Sequence, residues 1–242
     1  MHMRTKKWAR PELQVCPFFV NTIKGPDSAP GAVKNTWRSR FPHPERPLHI
    51  EMGCGKGVST AKMIADNPGI NFIAADLSAD VLGVARRNIA AACGEHPENA
   101  MLVLADICFA DSIFGPEDRA ERIYIHFCNP WTEHVRHEKR RLTHPRQLAA
   151  YRRFLAPEGE IWFKTDDDTL FEDSLRYFDL CGFEPVFLGR DLHGDGFEPN
   201  YVSEHEEKYM AMGVPIKYAV MRKTPREPDF DPTRYRIERT LR

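Results

Sequence analysis

The chain contains no Cys-x-x-Cys pair and no long apolar segment, and its charges nearly cancel. Its six cysteines are scattered along 242 residues, which argues against a zinc site or a disulfide framework and predicts a reducing, cytoplasmic compartment. No apolar run approaches the roughly 20 residues of a membrane-spanning helix, and the first residues do not predict a secretory signal. The net charge of −1 argues against a uniformly basic surface for nucleic acid. We therefore expect a protein without a metal site and without a membrane partner.

Basic residues are nevertheless concentrated in two short segments. One segment runs from Arg4 to Arg10, and the other contains Arg136, Lys139, Arg140 and Arg141 within six positions. Such clusters can bind phosphate groups even when the whole molecule is close to neutral. A solvated basic face is the alternative interpretation of either cluster taken alone.

The order of apolar and polar segments divides the chain into three parts. Residues 1–46 are rich in proline, basic and aromatic residues and predict an irregular N-terminal arm, and the charged residues 224–242 predict a peripheral tail. Between them, residues 47–223 alternate predicted strands with predicted helices. This alternation indicates an α/β domain with a mostly parallel sheet and helices on both faces. Because the last two strands lack a full helix between them, we expect seven strands with an antiparallel edge.

The most informative motif, Glu51-Met-Gly-Cys-Gly-Lys-Gly57, directly follows the first strand of this domain. Its glycines Gly53, Gly55 and Gly57 let the backbone turn with positive φ and approach a bound ligand closely. The spacing differs from the dinucleotide-binding fingerprint, because Val58 stands where that pattern needs its last glycine. It matches the loop that binds S-adenosylmethionine (SAM) in class I methyltransferases. A glycine-rich turn without a ligand is the alternative interpretation.

Polar side chains stand at the ends of four predicted strands, at Glu51, Asp76, Asp106 and Asn129. In an open α/β sheet, ligands bind beyond the carboxyl ends of the strands. Asp76 is suited to accept both hydroxyl groups of a ribose, Asp106 to accept from the adenine amine, and Glu51 to meet the methionine ammonium group. A single aspartate at a strand end is more often a helix N-cap. Three acids in register with a glycine loop are harder to explain as caps, so the pattern predicts a SAM site.

The segment that follows the last of these strands resembles a specific family. It reads Ile-His-Phe-Cys-Asn-Pro-Trp at residues 125–131 and Arg-His-Glu-Lys-Arg-Arg-Leu at residues 136–142. Together with Lys-Thr-Asp at 164–166, residues 203–209 and Gly-Val-Pro-Ile at 213–216, it is similar to the bacterial tRNA (guanine-N7)-methyltransferases. The similarity extends over roughly residues 4–223. It implies a class I SAM-dependent methyltransferase with a Rossmann-like fold that forms N7-methylguanosine in the variable loop of tRNA.

The resemblance also implies roles for individual residues. Asn129 stands at the position that the family treats as catalytic. Asp166, at a strand end, is best placed to supply the catalytic carboxylate that Asn129 lacks, and Glu206 is another candidate. The residues expected to contact SAM are Glu51, Gly53, Gly55, Gly57, Asp76, Asp106 and Asn129. The residues expected to contact the substrate are Glu133, Arg136, Lys139, Arg140, Arg141, Asp166, Ser203 and Glu206.

The chain departs from the family pattern at several of these positions. Asn129 replaces a carboxylate that is usually treated as catalytic, Cys128 replaces a proline, and Glu133 replaces a lysine. An asparagine can accept a hydrogen bond from an acceptor base, but it cannot balance positive charge. These departures leave open a methyltransferase of the same fold that acts on another RNA or on a small molecule. A catalytically inert RNA-binding protein is the second alternative, and the intact acids of the SAM site argue against it.

Overall fold

The computed structural model describes residues 5–29 and 31–231, and within these ranges strands alternate with helices. The strands are β1 (Phe19–Asn21), β2 (Leu48–Met52), β3 (Asn71–Asp76), β4 (Ala100–Leu104), β5 (Ala120–His126), β6 (Leu155–Thr165), β7 (Phe183–Gly189) and β8 (Lys217–Lys223). The helices are α1 (Ala9–Gln14), α2 (Val58–Asp66), α3 (Ala79–Cys93), α4 (Ala110–Ile113), α5 (Pro145–Phe154), α6 (Asp168–Leu180) and α7 (Glu204–Ala211). Short 3-10 turns cover Pro26–Ser28, Arg38–Arg40, Ile107–Phe109 and Val135–Arg140.

These strands form one sheet in the order β1-β4-β3-β2-β5-β6-β8-β7. The first six strands in this order are parallel, whereas β8 runs antiparallel to both β6 and β7. The expected α/β fold with a mostly parallel sheet and an antiparallel edge is confirmed, with one strand more than the seven expected. The additional strand is β1, which comes from the N-terminal arm and pairs with β4. Three residues are too few to show the alternation that reveals a strand in a sequence.

Local signals in the sequence explain where the helices begin. Ser78 accepts a hydrogen bond from the backbone N–H of Val81 at 3.4 Å and caps α3. Asp167 accepts from the backbone N–H of Leu170 at 2.6 Å and caps α6. Pro145 occupies the first turn of α5, where its missing N–H would have no partner within the helix. Helices α3 and α6 begin just after β3 and β6, at the edge of the sheet where the acids lie. Helix α5 directly precedes β6 and returns the chain to the opposite edge.

Buried apolar side chains cover both faces of the sheet. Residues such as Ile50 and Phe163 pack on one face with α5 and α6, and residues such as Phe72 and Leu102 pack on the other with α2 and α3. The N-terminal arm adds Trp37 to the first of these clusters. Its ring is fully buried, and its Nε1–H donates to the backbone oxygen of Ile113 at 2.9 Å. The arm therefore contributes a strand and a core side chain to the domain.

The beginning of the predicted tail lies against the domain. The guanidinium of Arg152 donates to the backbone oxygen of Thr224 at 3.1 Å, and Phe230 packs against the core. Residues 232–242 of the predicted tail and residues 1–4 of the predicted arm lie outside the described residues. Within residues 5–29 and 31–231, we find no helix with the length and apolar character needed to cross a membrane.

Candidate active site

The carboxyl ends of β2, β3, β4 and β5 meet at one edge of the sheet. Parallel register places Glu51 opposite Ala74 and Tyr124, and it places Asp76 opposite Leu104. The acids predicted from the sequence therefore lie at the ends of neighbouring strands, as expected for a ligand site in an open sheet.

Two of the three glycines in the loop after β2 leave open space beside the backbone. The φ angles of Gly53, Gly55 and Gly57 are 88°, 57° and 66°, where L side chains are strained. A Cβ added at Gly55 would meet nothing within 4 Å, and one at Gly53 would meet only the side chain of Leu142 at 3.9 Å. A Cβ at Gly57 would lie 2.9 Å from the Cβ of Ala85 in α3. Gly57, predicted as a cofactor contact, is thus explained by the close packing of α2 on α3.

Asp76 connects this loop to the end of β3. One carboxylate oxygen accepts the backbone N–H of Gly55 at 3.1 Å, and the other accepts the backbone N–H of Ser78 at 2.9 Å. Burial raises the pKa of Asp76, and the hydrogen bonds from Ser78 and Gly55 counter only part of that effect. Each oxygen retains a lone pair for a further donor, so the side chain can hold a ligand and the loop together.

Asp106 lies at the end of the next strand, beside exposed apolar side chains. It accepts the backbone N–H of Cys108 at 3.0 Å and caps a 3-10 turn. Leu77, which follows Asp76, is 60% exposed, and Phe109, which ends this turn, is 62% exposed. Neither residue was predicted as part of the site, although Leu77 directly follows a strand-end acid.

Glu51 is buried beneath the loop and contacts two side chains. The hydroxyl of Thr60 donates to one carboxylate oxygen, and Nδ1 of His126 lies 3.6 Å from the other. Burial lowers the pKa of His126, as does the nearby Lys164 ammonium group, so the ring is neutral at physiological pH. His126 was not predicted from the sequence, because a histidine inside an apolar strand has no distinctive neighbours in sequence.

A cleft of about 440 Å³ opens above Glu51 and the glycine loop, and neither Asp76 nor Asp106 is among its lining residues. Its lining consists of Glu51, residues 53–59, His126, Phe127, Ser203, Glu204, His205 and Lys208. The glycine loop forms one wall and the beginning of α7 forms the other. A salt bridge of 2.7 Å between Lys56 and Glu204 joins the two walls.

The loop after β5 carries Asn129 and has an unusual backbone. Phe127 and Trp131 have φ angles of 51° and 48°, and each such conformation costs a bulky residue roughly 1–3 kcal/mol. Asn129 is exposed, and its Oδ1 accepts the backbone N–H of Trp131 at 3.0 Å. Strained backbone of this kind concentrates at functional sites. The side-chain amide of Asn129 is thus held by its own loop, with its NH₂ group as the remaining donor.

Asp166 lies after β6 and contacts α7. Nε2 of His205 lies 3.4 Å from its carboxylate, and the His205 ring packs between Phe127 and Tyr209 at centroid distances of 4.9 Å and 4.7 Å. Burial raises the pKa of Asp166, but hydrogen bonds from His205, the backbone and Tyr209 outweigh it and hold the pKa below its usual value. Asp166 is therefore ionised at neutral pH. The His205 ring therefore contacts both Phe127, in the loop that carries Asn129, and the Asp166 carboxylate.

Helix α7 was not predicted, although its capping signal is present in the sequence. Ser203 accepts the backbone N–H of Glu206 at 3.2 Å, and serine followed three residues later by glutamate is the capping-box pattern. Glu206 was expected to contact the substrate, but it is 0% exposed. Its carboxylate lies 3.3 Å from Nζ of Lys164 and accepts from the Asn200 amide at 2.8 Å. In this structure Glu206 attaches α7 to the sheet, and a direct substrate contact would require the pair to open.

The basic segment divides into exposed and buried members. Arg136, Lys139 and Arg140 are exposed, as is Glu133, and the Arg140 guanidinium lies 5.1 Å from the centre of the Trp131 ring. Arg141, which we expected to face phosphate groups with them, is 0% exposed and pairs with Asp173 at 2.7 Å. In this structure Arg141 does not face solvent, so a contact with an RNA phosphate would require its pair with Asp173 to open.

Within the described residues, the acids at this edge of the sheet do not form a metal site. No group of three or more histidine, cysteine, aspartate or glutamate side chains within residues 5–29 and 31–231 is arranged to hold a metal ion. The arrangement offers instead a carboxylate for hydroxyl groups, a buried carboxylate for a cation, and an open glycine loop. These are suited to holding a polar organic ligand such as a nucleoside.

Comparisons with known proteins agree with this geometry. A family model described as "Putative methyltransferase" matches residues 45–219. A tRNA (guanine-N(7)-)-methyltransferase of Clostridium perfringens is 48% identical over 226 residues, covering 92% of this chain and 100% of the relative. The protein of the same name from Acetivibrio thermocellus is 43% identical with the same coverages, 92% and 100%. The one from Clostridium acetobutylicum is 39% identical and covers 91% of this chain and 98% of its own length.

Solved structures of lower similarity share the fold. The 16S rRNA methyltransferase KamB superposes with a TM-score of 0.55 at 12% identity, covering 78% of this chain and 91% of that chain. The StiE O-MT structure superposes with a TM-score of 0.50 at 12% identity, covering 76% and 70%. At these identities the likeness concerns the fold alone. The family model and the relatives at 39–48% identity go further, and this chain belongs to the tRNA (guanine-N(7)-)-methyltransferase family.

Proposed function

We propose that this protein transfers the methyl group of SAM to N7 of a guanine in the variable loop of tRNA. The observation that carries the proposal is that Asp76 bonds to the open glycine loop at Gly55, while Glu51 and Asp106 lie at the carboxyl ends of the neighbouring strands β2 and β4. The names of the relatives support the choice of tRNA and of guanine N7.

The residues at the sheet edge fit the polar groups of SAM. Asp76 would hold the ribose hydroxyls, Asp106 the adenine amine, and the buried Glu51 the methionine ammonium group. Leu77 and Phe109 are exposed apolar side chains on which the adenine ring would pack. When bound, SAM supplies an electrophilic methyl group on its sulfonium sulfur.

Guanine N7 already carries a lone pair, so the chain needs no base to remove a proton before methyl transfer. The remaining tasks are to align the base and to stabilise the positive charge that develops on it. Asn129 would orient the base through its side-chain amide. The ionised Asp166 would supply the negative charge that Asn129 lacks. The two residues are connected through His205, which contacts the Asp166 carboxylate and packs on Phe127 in the loop of Asn129.

One observation favours a second candidate, a methyltransferase of the same fold that acts on another RNA or on a small molecule. The Oδ1 atom of Asn129 already accepts a backbone N–H, so the side chain presents mainly its NH₂ donor. A guanine edge with N1–H and N2–H₂ needs an acceptor, whereas another substrate could offer an acceptor to this donor.

Nucleoside analysis of tRNA incubated with the protein and SAM tests the assignment. When the substrate is an unmodified tRNA transcript, we expect the reaction to form 7-methylguanosine at one position of the variable loop. A transcript with that guanine replaced by adenine should yield none, and the Asp76→Ala protein should yield much less at the same SAM concentration. Methylation at another atom or on another nucleoside would rule out guanine N7 of tRNA as the target and favour the second candidate.

The exposed basic segment gives a separate prediction about tRNA binding. Replacing Lys139 and Arg140 with glutamine should weaken binding about fivefold and reduce the slope of log affinity against log salt concentration by about 2. The reason is that each lost phosphate contact releases about one counterion fewer. Affinity measured by filter binding or fluorescence anisotropy across a salt series provides the slope.

The matched control removes the same charge at the opposite edge of the sheet. Arg119 directly precedes β5, Arg153 lies at the end of α5, and both are exposed. Their double replacement by glutamine should leave the slope within about 0.5 of the parent value. An equal loss of slope in both double variants would mean that the segment 136–140 is no specific phosphate contact.

A further inference from the structure

The peptide group between Pro130 and Trp131 is held from both sides. Its N–H, from Trp131, donates to Oδ1 of Asn129 at 3.0 Å, and its carbonyl oxygen, from Pro130, accepts from Nε of Arg141 at 2.6 Å. Because the peptide group is planar, a donor that fixes the carbonyl also fixes the direction of the N–H. The side-chain amide of Asn129 is attached to that N–H. Its orientation therefore depends on Arg141.

Arg141 is itself fixed to the core of the protein. The side chain is fully buried, and its Nη1 donates to Asp173 Oδ2 in α6 at 2.7 Å. Its Nη2 lies 3.7 Å from a carboxylate oxygen of Glu138. The guanidinium thus connects α6 to the loop through a charged group of rigid planar geometry. A lysine, with a single nitrogen at its end, cannot reproduce both directions at once.

The loop requires such an external restraint. Phe127 and Trp131 on either side of Asn129 hold positive φ angles of 51° and 48°, and backbone of this kind persists only where the surroundings impose it. Pro130 has no N–H of its own to contribute a restraint. Arg141, which follows the 3-10 turn Val135–Arg140, bonds to the loop and is itself anchored by Asp173 in α6.

We infer that Arg141 is a positioning residue for the acceptor site, which holds the Asn129 amide in one orientation, and that it is not a ligand of RNA. The inference rests on the proposed function in so far as Asn129 contacts the acceptor base. It separates Arg141 from its neighbour Arg140, which is exposed and lies over Trp131. Adjacent arginines of one basic segment then have different tasks, one at the RNA surface and one inside the protein.

The test replaces Arg141 with lysine, which preserves the charge but loses the bond to the loop or the bond to Asp173. We expect the single-turnover methylation rate at saturating tRNA and SAM to fall about fivefold, because misaligned groups lose rate. The tRNA affinity and its salt slope should remain within about twofold and about 0.3 of the parent values. Arg176→Lys is the matched control, since Arg176 contacts the same Asp173 carboxylate but is 74% exposed and does not reach the loop. It should leave rate and affinity unchanged.

A second readout does not depend on the substrate. In protein carrying ¹⁵N-labelled tryptophan, the Trp131 amide should lose protection from hydrogen exchange in Arg141→Lys and keep it in Arg176→Lys. The fully buried Trp37, whose backbone N–H donates to Asp118, serves as the internal reference for global stability. If wild-type protein methylated no tRNA guanine, the proposed function would fail. The hydrogen exchange of the Trp131 amide would still show whether Arg141 fixes the loop.

Two results would overturn the inference. One is an unchanged rate and unchanged Trp131 protection in Arg141→Lys. The other is a loss of tRNA affinity with a salt slope reduced by about 1, which is the behaviour of a phosphate ligand. If Arg141→Lys fails to fold, Asp173→Asn keeps the arginine and weakens its anchor. That variant should lower the rate and the Trp131 protection in the same direction, and unchanged values would count against the inference equally.

Discussion

Replacing Asp76 with alanine should weaken the binding of SAM by about 100-fold, or about 2.7 kcal/mol. The carboxylate is the proposed acceptor for the ribose hydroxyls, and it also holds the backbone N–H groups of Gly55 and Ser78. Alanine would remove the ligand contact and release the glycine loop in one step. Isothermal titration calorimetry with SAM, and with its demethylated product S-adenosylhomocysteine, measures the change.

Two further variants separate the causes of this loss. Asp76→Asn keeps an acceptor oxygen of the same shape, so it should retain more affinity than Asp76→Ala, because only charge and one acceptor are lost. Asp66→Ala removes an exposed carboxylate at the end of α2 and should not change binding. If NAD bound as tightly as SAM, or if Asp76→Ala bound SAM normally, the cofactor assignment would be wrong.

Replacing Asn129 with aspartate should raise the rate of guanine methylation about tenfold, equivalent to about 1.4 kcal/mol of barrier. In the structure, one end of the side-chain amide is used by the backbone N–H of Trp131, and the other end is a donor. Aspartate would keep the bond to Trp131 and would present a second, negatively charged oxygen to the guanine edge. Single-turnover methylation of tRNA at saturating SAM measures the rate without a contribution from product release.

A double-mutant cycle with Asp166 tests whether the two side chains share one task. If Asp166 supplies the charge that Asn129 lacks, Asp166→Asn should slow wild-type protein more than it slows Asn129→Asp. Asn129→Ala should slow the reaction without changing the midpoint of thermal unfolding, because residue 129 is exposed. Loss of activity in Asn129→Asp with SAM binding intact would indicate a substrate that needs the amide donor. The assignment of guanine would then fail, while the methyltransferase family would stand.

Much of the fold was readable from the chain because its signals are local. The alternation of short apolar strands with helical segments indicates a parallel sheet with helices on both faces. Among the elements that were not predicted, which also include the short helices α1 and α4, β1 and α7 have weak local signals. Strand β1 has only three residues, and α7 carries a capping box at Ser203 but little amphipathic pattern after it. Both are stabilised by contacts distant in sequence, with β4 and with Lys164.

The position of the acids at one edge of the sheet was predictable for a geometric reason. Parallel strands bring their carboxyl ends to one edge, so residues that follow successive strands in sequence become neighbours in space. This reasoning placed Glu51, Asp76 and Asp106 together without any knowledge of side-chain contacts. It could not show that Gly57 packs against Ala85, since a glycine looks the same whether it faces a ligand or a helix.

The basic segment shows where information in the sequence ends. Arg140 and Arg141 are adjacent and chemically identical, yet one is exposed and the other is fully buried against Asp173. The direction of the 3-10 turn over Val135–Arg140 and the position of α6 decide which arginine points inward. Glu206 is a similar case, because its burial depends on Lys164, which lies 42 residues earlier in the chain. Patterns of neighbouring residues identify the elements and the candidate acids, whereas long-range packing assigns each side chain to solvent, ligand or core.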